Sequence, residues 1–205
     1  MTKKVSTYVA IGDSFTAGLE GDEARWADEV ASALPGVDYV NLAVVGATSE
    51  VVEESQLPEG LALKPDLVSL VCGANDVLET VRPDPGLYAS RLARMLERIA
   101  EEAPDARVFT ITYPDLSRFV PLRPRTQARV ERGTRLYNAA MRSVAQRHGV
   151  LLVEAAEHPG AEERSNFASD GFHASLEGHR RLAANIVRQL GELGIETRPS
   201  KEATA

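Results

Sequence analysis

The chain has 205 residues, 43% apolar and 26% charged, a balance that suits one globular domain and excludes wholesale disorder. Its net charge of −7, from 30 acidic and 23 basic side chains, disfavours general binding to nucleic acid or an anionic membrane. A lone cysteine, Cys72, leaves no intrachain disulfide framework or CxxC metal site, and no apolar run approaches the roughly 20 residues of a bilayer span.

Residues 1–12 carry two lysines but no long apolar core and no small-residue cleavage site, so a strand is expected there rather than a signal peptide, and with it a cytoplasmic protein. Short apolar runs then alternate with segments of helical period. The strands are predicted at Tyr8 to Ile11, Val37 to Leu42, Leu67 to Val71, Arg107 to Tyr113 and Val150 to Val153. Their nearly continuous apolar character predicts burial on both faces. Helices are predicted at Ala24 to Leu34, Thr48 to Glu54, Pro85 to Ala103, Arg125 to His148 and Ser175 to Leu193. In the third, Leu92, Leu96 and Ile99 form the buried stripe, with Leu87, Arg91, Met95, Arg98 and Glu102 on another side. Gly149 offers the left-handed stop of the fourth. The pattern predicts an α/β protein, a three-layer α/β/α sandwich around a five-stranded parallel sheet. The domain is expected to span 1–195, with 196–205 a polar, frayed tail.

Ligands of such folds bind at the carboxyl ends of the strands. Four segments fall there: Gly12-Asp13-Ser14, Asn41 to Gly46, Gly73-Ala74-Asn75-Asp76 and Asp170-Gly171-Phe172-His173. The glycines after the first strand, Gly12 and Gly18, fit neither GxGxxG nor GxxxxGK[ST], which argues against a nucleotide. Hydrolysis through serine fits better. A hydroxyl needs a base within hydrogen-bond reach and donors for a developing oxyanion. Ser14 stands where a strand turns into a helix, so its own amide can face the site. Asp170 and His173, three apart, can place a carboxylate on one ring nitrogen and the serine on the other. Gly46 can present a bare amide, and Asn75 a neutral side-chain donor.

In this order the four segments resemble the blocks of the SGNH hydrolases, the GDSL-type esterase/lipase superfamily, over Gly12 to His173. The resemblance implies Ser14 as nucleophile, Asp170 and His173 as its triad partners, and Ser14, Gly46 and Asn75 as the oxyanion hole. Phe15 stands where the name-giving leucine would be, and GxSxG, the elbow of the α/β-hydrolases, is absent. The implied activity is hydrolysis of a small-molecule ester with no cofactor and no metal. The resemblance implies lysophospholipids, short-chain esters, acylated sugars or thioesters as candidate substrates, and the low aromatic content favours short or medium acyl groups. An acyltransferase using the same triad and a non-catalytic binding protein are the alternatives.

Other residues favour structural roles. Asp13 and Asp76 are expected to fix loops through backbone amides. His148 sits at a helix end, His158 precedes a proline, and His179 packs on the last helix. Cys72 reads as an inert core residue. The arginines Arg118, Arg123, Arg125, Arg129, Arg132 and Arg135 either receive an anionic substrate group or form a solvated face paired with Glu50, Glu53 and Glu54, the second being favoured. Tyr113, Leu116, Phe119, Val120 and Leu122 wall a pocket, form a lid, or pack on the sheet.

Overall fold

A computed structural model describes residues 2–19 and 25–198. The predicted helix start at Ala24 and residues 199–205 of the predicted tail lie outside them. Strands β1 (Thr7–Gly12), β2 (Asp38–Asn41), β3 (Leu67–Val71), β4 (Arg107–Ile111) and β5 (Leu151–Val153) form one parallel sheet in the order β2-β1-β3-β4-β5. In the central β1 and β3, every residue after Thr7 is buried, as continuous apolar strands predict. At the edges the expectation fails. β2 has no fully buried residue, and β5 has only Val153. An outermost strand has a neighbour on one side only, so its side chains keep contact with water.

Among the described residues, eight α-helices accompany the sheet: α1 (Ser14–Ala17), α2 (Trp26–Ala33), α3 (Ser49–Val51), α4 (Leu57–Ala62), α5 (Ala74–Leu78), α6 (Pro85–Glu102), α7 (Pro124–His148) and α8 (Leu176–Glu192). α2 packs on α8, while α6 packs on α7 and reaches α3 and α4. These two groups are the helical layers of the sandwich. α6 starts at Asp84, whose carboxylate accepts from the amides of Gly86 and Leu87, with Pro85 in the first turn. Its buried side carries Tyr88, Leu92, Met95, Leu96 and Ile99. Met95 therefore belongs to the buried stripe, which is wide enough to hold neighbours at 95 and 96. α7 stops at Gly149 in the left-handed conformation, φ 63°.

The helix predicted at Thr48 to Glu54 continues to Ala62 in three pieces. Between α3 and α4 lies a π-helical turn, Val52–Gln56, closed by the bond from the Leu57 amide to the Val52 carbonyl. Pro58 falls in the first turn of α4, where a missing N–H is tolerated, so it does not end the helix. At the other end of the chain, Glu196 and Arg198 donate their amides to the carbonyls of Lys3 and Ala33.

Candidate active site

β1 delivers the first segment to the sheet edge. Asp13 caps α1, accepting the Phe15 amide at 3.0 Å, and Ser14 is the first helical residue, 5% exposed. The backbone just before it is held from both sides. The side-chain amide of Gln56, in the π turn, accepts the Gly12 N–H at 2.7 Å and donates to the Gly12 carbonyl at 2.9 Å. The Asp13 amide donates to the Val71 carbonyl of β3 at 3.2 Å.

Across from Ser14 stands the loop before α8. His173 Nε2 lies 2.9 Å from Ser14 Oγ, and His173 Nδ1 lies 2.6 Å from Asp170 Oδ2. Asp170 Oδ1 accepts the amides of Phe172 and His173 at 2.9 and 3.0 Å, so the turn that spaces the two residues also orients the carboxylate. Partial burial opposes ionisation of Asp170, but the His173 ring and these amides outweigh it and hold its carboxyl below the usual range. An ionised carboxylate only accepts, so Nδ1 carries the proton and Nε2 is left to accept from the Ser14 hydroxyl. Gly171, between them, has φ 74°, and a Cβ there would sit 2.3 Å from the Phe119 carbonyl oxygen. Only glycine permits both the left-handed turn and the close passage of the Phe119 backbone. The rings of Phe15 and Phe172 meet edge to face at 5.0 Å and pack on the imidazole at 5.6 and 4.7 Å.

The second and third segments are tied to each other. Asn75, in the first turn of α5 and nearly buried, donates one Nδ2 hydrogen to the Ala47 carbonyl at 3.0 Å, which leaves the second for another acceptor. Asp76 accepts the Ser49 amide at 2.8 Å and its hydroxyl at 2.5 Å. Gly46 is exposed with φ 82°, and nothing lies within 4 Å of a Cβ built there. Its glycine answers to backbone conformation, not to crowding. Beside it, Val44 and Val45 are 53% and 57% exposed.

Asp13 links these halves. Its carboxylate, wholly buried, accepts the Phe15 amide, the Tyr113 hydroxyl at 3.1 Å and the Ala74 amide next to Asn75. Burial is the strongest influence on it and, despite those donors and helped by the nearby Asp76 charge, pushes its pKa up to about 7. The loop-fixing roles expected of Asp13 and Asp76 match these contacts.

Sequence reasoning missed Gln56, whose partner lies 44 residues away, and, for Arg129, its role at the end of α5. The Arg129 guanidinium donates to the carbonyls of Val77, Leu78 and Thr80, holding the carboxyl end of α5. The favoured pairing of the arginine stretch with Glu50 and Glu53 is corrected. Those acids bind Arg91 and Arg94 of α6, because α3 packs against that helix, while Arg118 pairs with Glu162 and Arg135 with Glu131. Tyr113 and Leu116 are buried in the core, and Phe119 packs on Phe167. Cys72 is buried, and burial pushes its thiol well above the usual range. His179 is buried in α8, where its Nδ1 accepts the Trp26 amide, and His158 Nδ1 accepts the Gly160 amide. No helix among the described residues is long and apolar enough to cross a membrane.

Three solved structures are similar to this one. The lipase/acylhydrolase from Enterococcus faecalis is 27% identical, with 96% of this chain and 99% of that chain covered and a TM-score of 0.72. An enzyme from the metagenome of Lake Arreo, Spain, is 26% identical over 91% and 95% of the two chains, TM-score 0.69. A GDSL-like lipase from Parabacteroides merdae, at 19% identity over 93% and 98%, TM-score 0.76, shares the fold. Comparison with curated proteins gives no match. A sequence model of the GDSL-like Lipase/Acylhydrolase family matches residues 10–181, a span that holds all four segments. The chain belongs to that family and is a hydrolase of the esterase kind.

Proposed function

We propose that Ser14, His173 and Asp170 form the catalytic triad of a carboxylic-ester hydrolase for short to medium acyl groups, working through an acyl-enzyme. The Ser14 hydroxyl attacks the ester carbonyl while His173 Nε2 takes its proton, and Asp170 holds the Nδ1–H and stabilises the imidazolium. The amides of Ser14 and Gly46 and the free Nδ2 hydrogen of Asn75 stabilise the oxyanion. The exposed Val44 and Val45, next to Gly46, offer apolar surface to the acyl chain. Protonated His173 then gives its proton to the leaving alcohol, and water activated by the same nitrogen releases the acid.

The observation that carries this reading is the relay of two short contacts, 2.9 Å from Oγ to Nε2 and 2.6 Å from Nδ1 to Oδ2. The test is labelling with a fluorophosphonate probe followed by peptide mapping. Ser14 should carry the label, and Ser14→Ala should lose both the label and turnover of p-nitrophenyl butyrate by several powers of ten. A label on another residue, or full turnover by the variant, would overturn the assignment.

A further inference from the structure

An apolar cavity of about 110 Å³ lies behind the two aromatic rings that pack on His173. Phe15 and Phe172 form one of its walls and Pro114, Ala161, Phe167 and Leu182 add apolar surface, while His158, Asn166, Arg181 and Asn185 contribute the smaller polar part of its lining. Ser14 and His173 do not line it; the ring pair touches the cavity on one side and the His173 imidazole on the other. Both rings are only partly buried, and each is anchored by a backbone neighbour in the triad: Phe15 follows Ser14, and Phe172 precedes His173.

The direction of the reaction says which half of an ester would occupy this space. In the reading proposed above, the carbonyl oxygen faces Gly46 and Asn75. The leaving oxygen must instead receive a proton from His173 Nε2, so the alcohol half departs on the imidazole side. That is the side on which Phe15, Phe172 and the cavity lie. We infer that this cavity holds the alcohol half of the substrate, and that its size selects a short alkyl alcohol. A cavity of about 150 Å³ is known to hold benzene, so this one suits an alkyl group of about four carbons. The substrate class is then a small alkyl ester in which chain length beyond that point gains nothing.

This inference rests on the triad reading, and the experiment separates the two. Acetates of methanol, butanol and octanol all pass through the same acetyl-enzyme, so differences in kcat/KM report on the alcohol half alone. Butyl acetate should exceed methyl acetate by about tenfold or more, from the buried methylenes, and octyl acetate should give no further gain. Leu182→Ala, which enlarges the cavity, should raise octyl over butyl acetate by about tenfold. Ala161→Leu, which fills it, should bring butyl acetate down to the methyl level. A flat profile across the three esters, or a profile that neither variant changes, would overturn the inference while leaving fluorophosphonate labelling of Ser14 intact. Loss of that labelling together with all turnover would overturn both.

Discussion

The phenol of Tyr113 donates to the buried carboxylate of Asp13 across 3.1 Å, joining the segment after β4 to the cap of the Ser14 turn. Together with the amides of Phe15 and Ala74 it surrounds that carboxylate with donors, an arrangement that suits the anion. Burial works the other way and lifts the group from its ordinary value of 3.8 to about 7. Between those values the folded protein keeps a proton that the unfolded chain gives up, so the group's contribution to stability falls as pH rises. Urea unfolding of the wild type and Asp13→Asn should therefore show the wild type losing ground to the variant from about pH 4 to 7, then holding level. Tyr113→Phe removes one donor to the anion and should move that levelling point upward. A gap that widens in favour of the wild type over the same range would contradict the donor-and-burial account.

Asp170 fixes which nitrogen of His173 carries the proton. Replacing it by Asn keeps the shape but presents a donor to Nδ1, favouring the wrong tautomer. Asp170→Asn should reduce kcat by about 10⁴ with little change in KM. Steady-state kinetics on p-nitrophenyl butyrate reads this directly, and a drop confined to KM would mean that the residue serves binding instead.

Asn75→Ala removes one donor of the proposed oxyanion hole and should lower kcat by about 10²–10³. It also strips the Ala47 carbonyl of its partner, so the loop beside Gly46 should loosen. Hydrogen exchange at the amides of residues 46–49 should speed up in the variant, and unchanged protection would show that the asparagine does not hold that loop.

Gln56 touches neither Ser14 nor His173, yet its amide brackets the residue two before the serine. In Gln56→Leu the buried Gly12 N–H loses its acceptor, at a cost of about 1–3 kcal/mol, while the Gly12 carbonyl keeps the Val44 amide as a donor. The urea midpoint should fall, and the rate of fluorophosphonate labelling should fall with it once both proteins are fully folded. A labelling rate equal to wild type would confine Gln56 to stability.

The central strands and the long helices were legible because burial on both faces and a 3.6-residue period leave marks within a few neighbours. The Asp170–His173 pair was legible for the same reason, since both sit on one turn. Gln56 was not: its role depends on a π turn and on a partner 44 residues away, and nothing local distinguishes it from any helical glutamine. α5, five residues long, is too short to show a period, so the sequence places Asn75 at a strand end without marking it as helical. The predicted helix end at Glu54 falls inside the π turn, through which the chain carries on into α4. The arginines misled because an acidic run nearby in composition is not nearby in space.

Ser14 and His173 stand 159 positions apart, yet their contact closes the site. During synthesis, therefore, a ribosome-bound chain that has already folded β1 through β4 still lacks the imidazole. If the proposed triad holds, probe reactivity at the serine arises only after the stretch leading into α8 has emerged and docked. On the proposed triad, labelling thus waits for residue 173, and a time course of labelling on stalled chains of increasing length would trace the docking of that stretch.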